Sequence, residues 1–110
     1  MGMYIRLQDL TEQSATGSQR IEEAIDVGNY RNLVIQTRIP SNSTTGTLVL
    51  EHAAVLEESA FAEISGFSVS LSADTNDVAT VQDPLRYLRW KITTITGTAK
   101  FNIDIIAREA

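Results

Sequence analysis

Residues 87–93 read YLRWKIT, and this strict alternation of apolar and polar residues decides the fold. Leu88, Trp90 and Ile92 lie on one side of an extended chain, whereas the residues between them lie on the other. A period of two predicts a β-strand with one buried face, because a helix would repeat its apolar positions every three or four residues. Since one of these side chains is the chain's single tryptophan, we expect the strand to pack in the core.

The same pattern continues toward the C-terminus. Phe101, Ile103 and Ile105 alternate with polar residues, which predicts a second strand with one buried face. Residues 96–98, TGT, lie between the two strands and are typical of a turn. Residues 87–108 are therefore predicted to form a β-hairpin.

Upstream, shorter apolar runs predict further strands. Pro40 ends one of them, because proline has no N–H for the ladder. Residues 73–77, ADTND, are typical of a turn. Residues 53–64, AAVLEESAFAEI, contain helix-favouring residues, but the flanking strands favour a bulged strand or a long connection. The predicted strand segments are residues 20–27, 32–39, 47–54, 61–64, 67–71 and 78–81.

The number and spacing of these segments indicate the fold class. About eight short strands separated by turns, with no long helix to cover a parallel sheet, predict an all-β fold with antiparallel sheets. We expect a jelly-roll-like antiparallel β-sandwich over residues 19–110. Residues 1–18 are predicted to be an N-terminal arm with its linker, because the arm is apolar and residues 11–19 are small and polar.

Composition excludes several kinds of partner. The 110 residues include 14 acidic and 9 basic residues, so the net charge of −5 argues against nucleic acid as a ligand. No stretch approaches the roughly 18 apolar residues of a membrane span, so no membrane partner is expected. The N-terminus has no signal-peptide pattern, and we expect synthesis in the cytoplasm. Without cysteine, disulfides and thiolate metal sites are excluded.

No group of residues has the pattern of an active site. His52 is the chain's one histidine, and we interpret it as a strand-end residue that is satisfied by a neighbour. Glu22 and Glu23 point to opposite faces of an extended chain, so they cannot flank a substrate. Residues 74–77, DTND, lack the glycine and distal glutamate of a calcium loop and are interpreted as a turn. We predict no enzymatic activity, no cofactor, and no catalytic or metal-binding residue.

Two segments are predicted to contact a partner protein. The arm is apolar enough to need burial, either by folding back or by adding to the edge of a neighbour's sheet, and we favour the second. The strand at residues 87–93 presents a basic outer stripe, which could dock on an acidic subunit or pair with Glu51 or Asp104. The predicted partner-binding residues are Tyr4, Ile5, Leu7, Leu10, Tyr87, Arg89 and Lys91.

A further signal comes from apolar residues on faces that are otherwise polar. Val34, Val49 and Ile106 are the residues of this kind. Single exposed apolar residues are normal, but several on one sheet would form a patch and mark an interface.

Three segments resemble small β-sandwich structural proteins of tailed bacteriophages. Residues 84–92, PLRYLRWKI, and 97–105, GTAKFNIDI, are similar to the closing hairpin of such proteins, and residues 29–36, NYRNLVIQ, are similar to their early central strand. The resemblance implies a virion structural protein of the capsid decoration or cement type. Such a protein forms a homo-oligomer, with a trimer favoured, and stabilises the head by binding the major capsid protein or other virion subunits.

Other functions stay open beside this one. A tail or neck accessory protein would show the same resemblance. A carbohydrate-binding or adhesion module would stack exposed aromatic rings on sugar, but three Tyr, three Phe and one Trp form a sparse platform. An oligomer present in many copies on a particle would support the cement protein, whereas a monomer that binds a glycan would support the module.

Overall fold

The computed structural model describes residues 3–8, 13–28, 30–40, 45–72 and 75–108. These residues form ten β-strands and two short 3₁₀ helices, Ile21–Glu23 and Glu58–Ala60. The strands are β1 (Met3–Gln8), β2 (Gly17–Ser18), β3 (Ile25–Asp26), β4 (Asn32–Ile39), β5 (Thr45–Ala53), β6 (Ala62–Glu63), β7 (Val69–Ser70), β8 (Thr75–Gln82), β9 (Tyr87–Thr96) and β10 (Asn102–Arg108).

The strands form two antiparallel sheets, which confirms the predicted β-sandwich. One sheet has four strands in the order β1-β10-β4-β8. The other has six, in the order β2-β9-β5-β6, with β3 also pairing with β9 and β7 with β5. The long strands β5 and β9 are the centre of this second sheet, and the short strands complete its edges.

The inner faces of the two sheets share one core. Alternation brings every second residue of β4 and β10 to this core from one side, and every second residue of β5 and β9 from the other. Phe101 and several aliphatic side chains are fully buried there. The largest fully buried aliphatic residues of β4, β5, β9 and β10 are Leu33, Ile35, Ile39, Leu48, Leu50, Leu88, Ile92, Ile103 and Ile105.

The predicted hairpin over residues 87–108 is wrong, although both of its strands form. β9 pairs with β5, whereas β10 pairs with β4 and β1 in the opposite sheet. The connecting residues cross between the sheets with Ala99 and Phe101 fully buried. Phe101 packs edge-on against Trp90, with the ring centroids 5.4 Å apart. The buried contact between Phe101 and Trp90 stabilises this crossing.

Two other predicted segments are corrected by the structure. Residues 20–27 are not one strand, because a strand would point Glu23 toward the core with Ile21 and Ile25. The 3₁₀ helix Ile21–Glu23 avoids this, and only β3 pairs. Residues 75–77 are not a turn but the start of β8, where pairing with β4 satisfies their backbone. Residues 73 and 74 lie outside the described residues.

Between β5 and β6 the favoured long connection is confirmed. It contains one 3₁₀ turn, Glu58–Ala60, instead of a longer helix. This connection has a role in covering the six-stranded sheet, which is described below.

Part of the predicted arm forms a strand of the sandwich. β1 pairs with β10 of the same chain, from Met3 opposite Ala107 to Gln8 opposite Ile103, with a bulge at Leu7. The segment thus takes the fold-back alternative in this chain. Addition to a neighbour's sheet, and the division into an arm over residues 1–18 and a sandwich over residues 19–110, stay predictions.

Phe101→Ala is expected to lower the free energy of unfolding by about 3–5 kcal/mol, because it leaves a cavity in the core beside Trp90. The measurement is urea unfolding followed by the fluorescence of Trp90. Val78→Ala is the control, since Val78 is 63% exposed and its truncation should change the free energy by less than about 0.5 kcal/mol. Equal effects of the two substitutions would contradict the central place of Phe101.

Candidate interaction surface

Exposed apolar side chains lie together on the outer face of the four-stranded sheet. Tyr4 of β1 is opposite Ile106 of β10, which is opposite the half-buried Val34 of β4. Val78 of β8 extends this set, which we call the apolar patch. The side chains of Tyr4, Val78 and Ile106 are 57%, 63% and 38% exposed. The patch follows from alternation, because Ile105 points into the core and Ile106 must therefore point outward.

A charged group borders the apolar patch, and we call it the Asp104 cluster. Asp104 of β10 accepts hydrogen bonds from the Tyr4 hydroxyl at 2.6 Å and from Arg6 Nε at 2.9 Å. Arg38 Nη2 of β4 donates to its other carboxylate oxygen at 3.4 Å. The cluster thus joins three strands across the sheet face. With two arginines and one aspartate it carries a net positive charge, opposite in sign to the chain as a whole.

The environment of Asp104 favours its ionised form. Partial burial by itself would raise the pKa of the carboxyl group. The hydrogen bonds from Arg6 and Tyr4, with the positive charges of Arg6 and Arg38, outweigh it and hold the pKa of Asp104 below its usual range. The negative charge that organises the cluster is therefore kept into mildly acidic solution.

Together, the apolar patch and the Asp104 cluster line a shallow concavity of about 420 Å³. Its floor is aliphatic and aromatic, and its polar groups are already paired with one another within the sheet. Such a surface can bury apolar side chains of another molecule and attract a carboxylate to the arginines.

The outer face of the six-stranded sheet is covered by the chain's own residues. Arg89 of β9 is 4% exposed, and its Nε donates to Glu51 of β5 at 2.8 Å. Its Nη1 donates to the Gln19 carbonyl at 3.2 Å and also contacts Glu58, and its guanidinium lies 4.1 Å from the centroid of the Phe61 ring. The connection between β5 and β6 supplies Glu58 and Phe61, so this loop covers part of the outer face of the sheet.

The predicted partner-binding residues are therefore divided between two surfaces. Tyr4 is the member that lies in the apolar patch. Leu7 is buried and Ile5 packs against the core, so both already have their burial within the chain. Leu10 lies outside the described residues.

The three predicted residues of β9 lie on the covered sheet instead. Arg89 is buried there, and Tyr87 and Lys91 are half-buried. Lys91 Nζ is 3.3 Å from Glu63 and 3.9 Å from Glu51. The basic stripe thus pairs with Glu51 inside the chain, which is one of the two alternatives expected from the sequence.

Isolated apolar residues in the sequence were the better signal for this surface. Val34 and Ile106 lie side by side in the apolar patch, whereas Val49 is buried on the other sheet. Arg6 and Arg38 were not predicted as partners of Asp104. The alternation along β1 and β4 places Arg6 and Arg38 on the outer face of their strands, and this much can be read from the sequence. Whether the two side chains meet Asp104 depends on which strands are neighbours in the sheet.

Other polar residues considered in the sequence have structural roles. His52 Nδ1 accepts a hydrogen bond from the backbone N–H of Leu85 at 3.2 Å, which confirms that a neighbour satisfies it. Burial lowers the pKa of this imidazole. Arg86 makes a two-pronged contact with Asp26. Within the described ranges, no three His, Cys, Asp or Glu residues are grouped to hold a metal ion.

The described part of the chain also contains no helix that is long and apolar enough to cross a membrane.

Comparison with known proteins relates the fold to phage and viral proteins. The crystal structure of the SPBc2 prophage-derived protein YomS superposes with a TM-score of 0.58 and 17% identity, covering 97% of this chain and 92% of that one. The PBSX exported protein XepA gives a TM-score of 0.57 and 14% identity over the whole of this chain and 37% of its own. This chain thus spans little more than a third of XepA.

A chain from a virus-derived particle matches the same fold over part of its length. The structure of infectious bursal virus derived T=1 particles gives a TM-score of 0.50 and 6% identity, covering 99% of this chain and 32% of that one. At these identities the likeness shows a common fold. No protein-family model and no curated protein matches the sequence.

Arg89→Ala is expected to lower the free energy of unfolding by about 3–5 kcal/mol, because it leaves the buried carboxylate of Glu51 without its main partner. Urea unfolding measures the change. Lys91→Ala is the matched control on the same strand, and its half-exposed ion pairs should contribute less than about 1 kcal/mol. A small change in the free energy of unfolding for Arg89→Ala would mean that the ion pair with Glu51 contributes little to stability. Arg89 would then again be a candidate for partner binding.

Asp104→Asn should make the protein less stable at neutral pH and flatten the acid side of its stability profile. The folded-state pKa of Asp104 is lowered, so its ionised form stabilises the fold above the unfolded pKa of about 3.9. That contribution is lost as the pH falls through the folded-state pKa. Urea unfolding at a series of pH values should show the wild type and the variant converging below about pH 4. A constant difference between them would show that the carboxylate charge is not what stabilises the sheet.

Proposed function

We propose that this protein is a structural component of a phage particle, a non-enzymatic subunit that works by assembling with copies of itself and with other virion subunits. The observation that carries the proposal is the uncovered outer face of the four-stranded sheet, with exposed apolar residues beside a fixed charged cluster. Contiguous exposed apolar surface on a small domain is typical of a protein interface.

The structural comparisons also support a role in a phage particle. YomS is an SPBc2 prophage-derived protein, XepA is a PBSX exported protein, and the infectious bursal virus structure is of virus-derived T=1 particles. Within this class, the decoration or cement role is the finer proposal. In that role the protein would form a homo-oligomer, favoured as a trimer, and bind the major capsid protein through the sheet face. Tyr4 belongs to this proposed contact, whereas Tyr87 and Lys91 lie on the opposite sheet and outside it.

Particle composition tests the proposal. Particles are purified on a density gradient from the organism that carries the gene, and the protein is quantified by mass spectrometry relative to the major capsid protein. A decoration protein should co-sediment at a copy number similar to that of the capsid subunit, whereas a tail or neck protein should be present in few copies. Absence of the protein from every particle fraction would refute a virion role.

Val78→Lys is expected to reduce incorporation into particles by about tenfold while leaving the fold intact, because it places a charge in the apolar patch. Ser70→Lys is the matched control, since Ser70 is exposed on a strand of the other sheet. The ratio of the subunit to capsid protein in purified particles is the measurement. Equal incorporation of the two variants would place the particle contact elsewhere on the molecule.

One observation favours glycan binding as a second candidate. The Tyr4 ring is exposed beside the polar groups of the Asp104 cluster, as an aromatic platform for a sugar would be. Binding to a glycan array that Tyr4→Phe retains and Tyr4→Ala loses would support this function. Absence of binding to every glycan on the array would rule out this second function.

A further inference from the structure

We propose that the apolar patch and the Asp104 cluster receive the loop at residues 54–57 of a second copy of this chain. This inference rests on the proposed self-assembly and names the contact that produces it. Residues 54–57 read AVLE and directly follow β5, at the end of the six-stranded sheet.

The proposed donor loop is the second exposed apolar site in the described part of the chain. The side chains of Val55 and Leu56 are 49% and 45% exposed. Leu85, which is 42% exposed, lies at the same end of the sandwich, because its N–H donates to His52 near the end of β5. Two adjacent aliphatic residues at this exposure suit insertion into a shallow apolar concavity.

The charges of the two surfaces are complementary. Glu57 is exposed and follows the aliphatic pair, whereas Glu58 is already engaged by Arg89. On the receiving surface, Arg38 has the longest contact in the Asp104 cluster, at 3.4 Å, and its side chain is 47% exposed. Glu57 would therefore meet Arg38 while Val55 and Leu56 cover the apolar patch. The match of apolar with apolar and of acidic with basic argues for a second copy over an unrelated partner.

The location of the two surfaces requires different chains. The apolar patch lies on the outer face of the four-stranded sheet, and the loop leaves the end of the opposite sheet. Both sheets are fixed by one core, so a single sandwich cannot bring them together. The donor loop and the receiving surface are different parts of the chain, so each copy uses its loop in one contact and its receiving surface in another. The contact therefore repeats head to tail. Such contacts close into rings when the rotation allows, and the favoured trimer is one such ring.

Charge reversal at both ends of the proposed contact tests it. Arg38→Glu and Glu57→Arg are each expected to raise the dissociation constant of the self-association at least tenfold, because each places like charges opposite one another. The double variant Arg38→Glu/Glu57→Arg restores the pairing in every contact and should return to within about threefold of the wild type. Sedimentation velocity over a range of concentrations measures the association.

Exposed charges away from the contact provide matched controls. Arg20→Glu and Glu22→Arg make the same charge changes on a surface turn, where the two side chains are 76% and 69% exposed, and they should leave the association unchanged. Circular dichroism and urea unfolding verify that each variant is folded.

Three results would overturn the proposed contact. They are a wild type that stays monomeric, single reversals that associate like the wild type, and a double variant that is no better than the singles. None of these results touches the particle-composition experiment. A monomer that is still found in particles would remove this contact and leave the virion role standing.

Discussion

A two-sheet sandwich has four sheet faces. The residues that pack on each face determine which side chains of this protein are buried and which stay exposed. The two inner faces bury each other, which accounts for the fully buried residues of β4, β5, β9 and β10. The outer face of the six-stranded sheet is covered by the connection between β5 and β6, through the buried pair of Arg89 and Glu51 and the Phe61 ring. The outer face of the four-stranded sheet is what remains for contact with another molecule, and its exposed apolar residues are consistent with that use.

The crossing between β9 and β10 makes this arrangement possible. If these strands had paired as a hairpin, their polar faces would have formed one continuous surface. Sending them to opposite sheets separates the basic residues of β9 from the Asp104 cluster of β10. As a result, one outer face becomes a buried ion-pair layer, and the other becomes an open patch beside a small positive cluster. The proposed interaction surface is thus a consequence of topology as much as of composition.

Local pattern predicted the strands β4, β5, β9 and β10 well and their partners poorly. β4 forms over the residues that the alternation indicated, and β9 and β10 also form where predicted. The hairpin between β9 and β10 was wrong because the two strands pair in opposite sheets, and local residues at 96–98 do not encode that choice of partners. The outward position of Arg89 followed from the period of two, but its burial depends on a loop whose Glu58 lies 31 residues away in the chain. A contact between residues this far apart in the chain leaves no pattern in the local sequence.

The sequence by itself determined the all-β class, the positions of the long strands and the lack of an active-site pattern, because these depend on periodicity and residue type along a continuous stretch. It also marked Val34 and Ile106 as apolar residues on polar faces. Only the tertiary structure decided that these two residues meet Tyr4 and Val78 beside a shared aspartate, and that Arg89 is buried. The physical reason is that side chains on one strand acquire their surroundings from the neighbouring strands and from whatever covers the sheet, and both are set by long-range pairing.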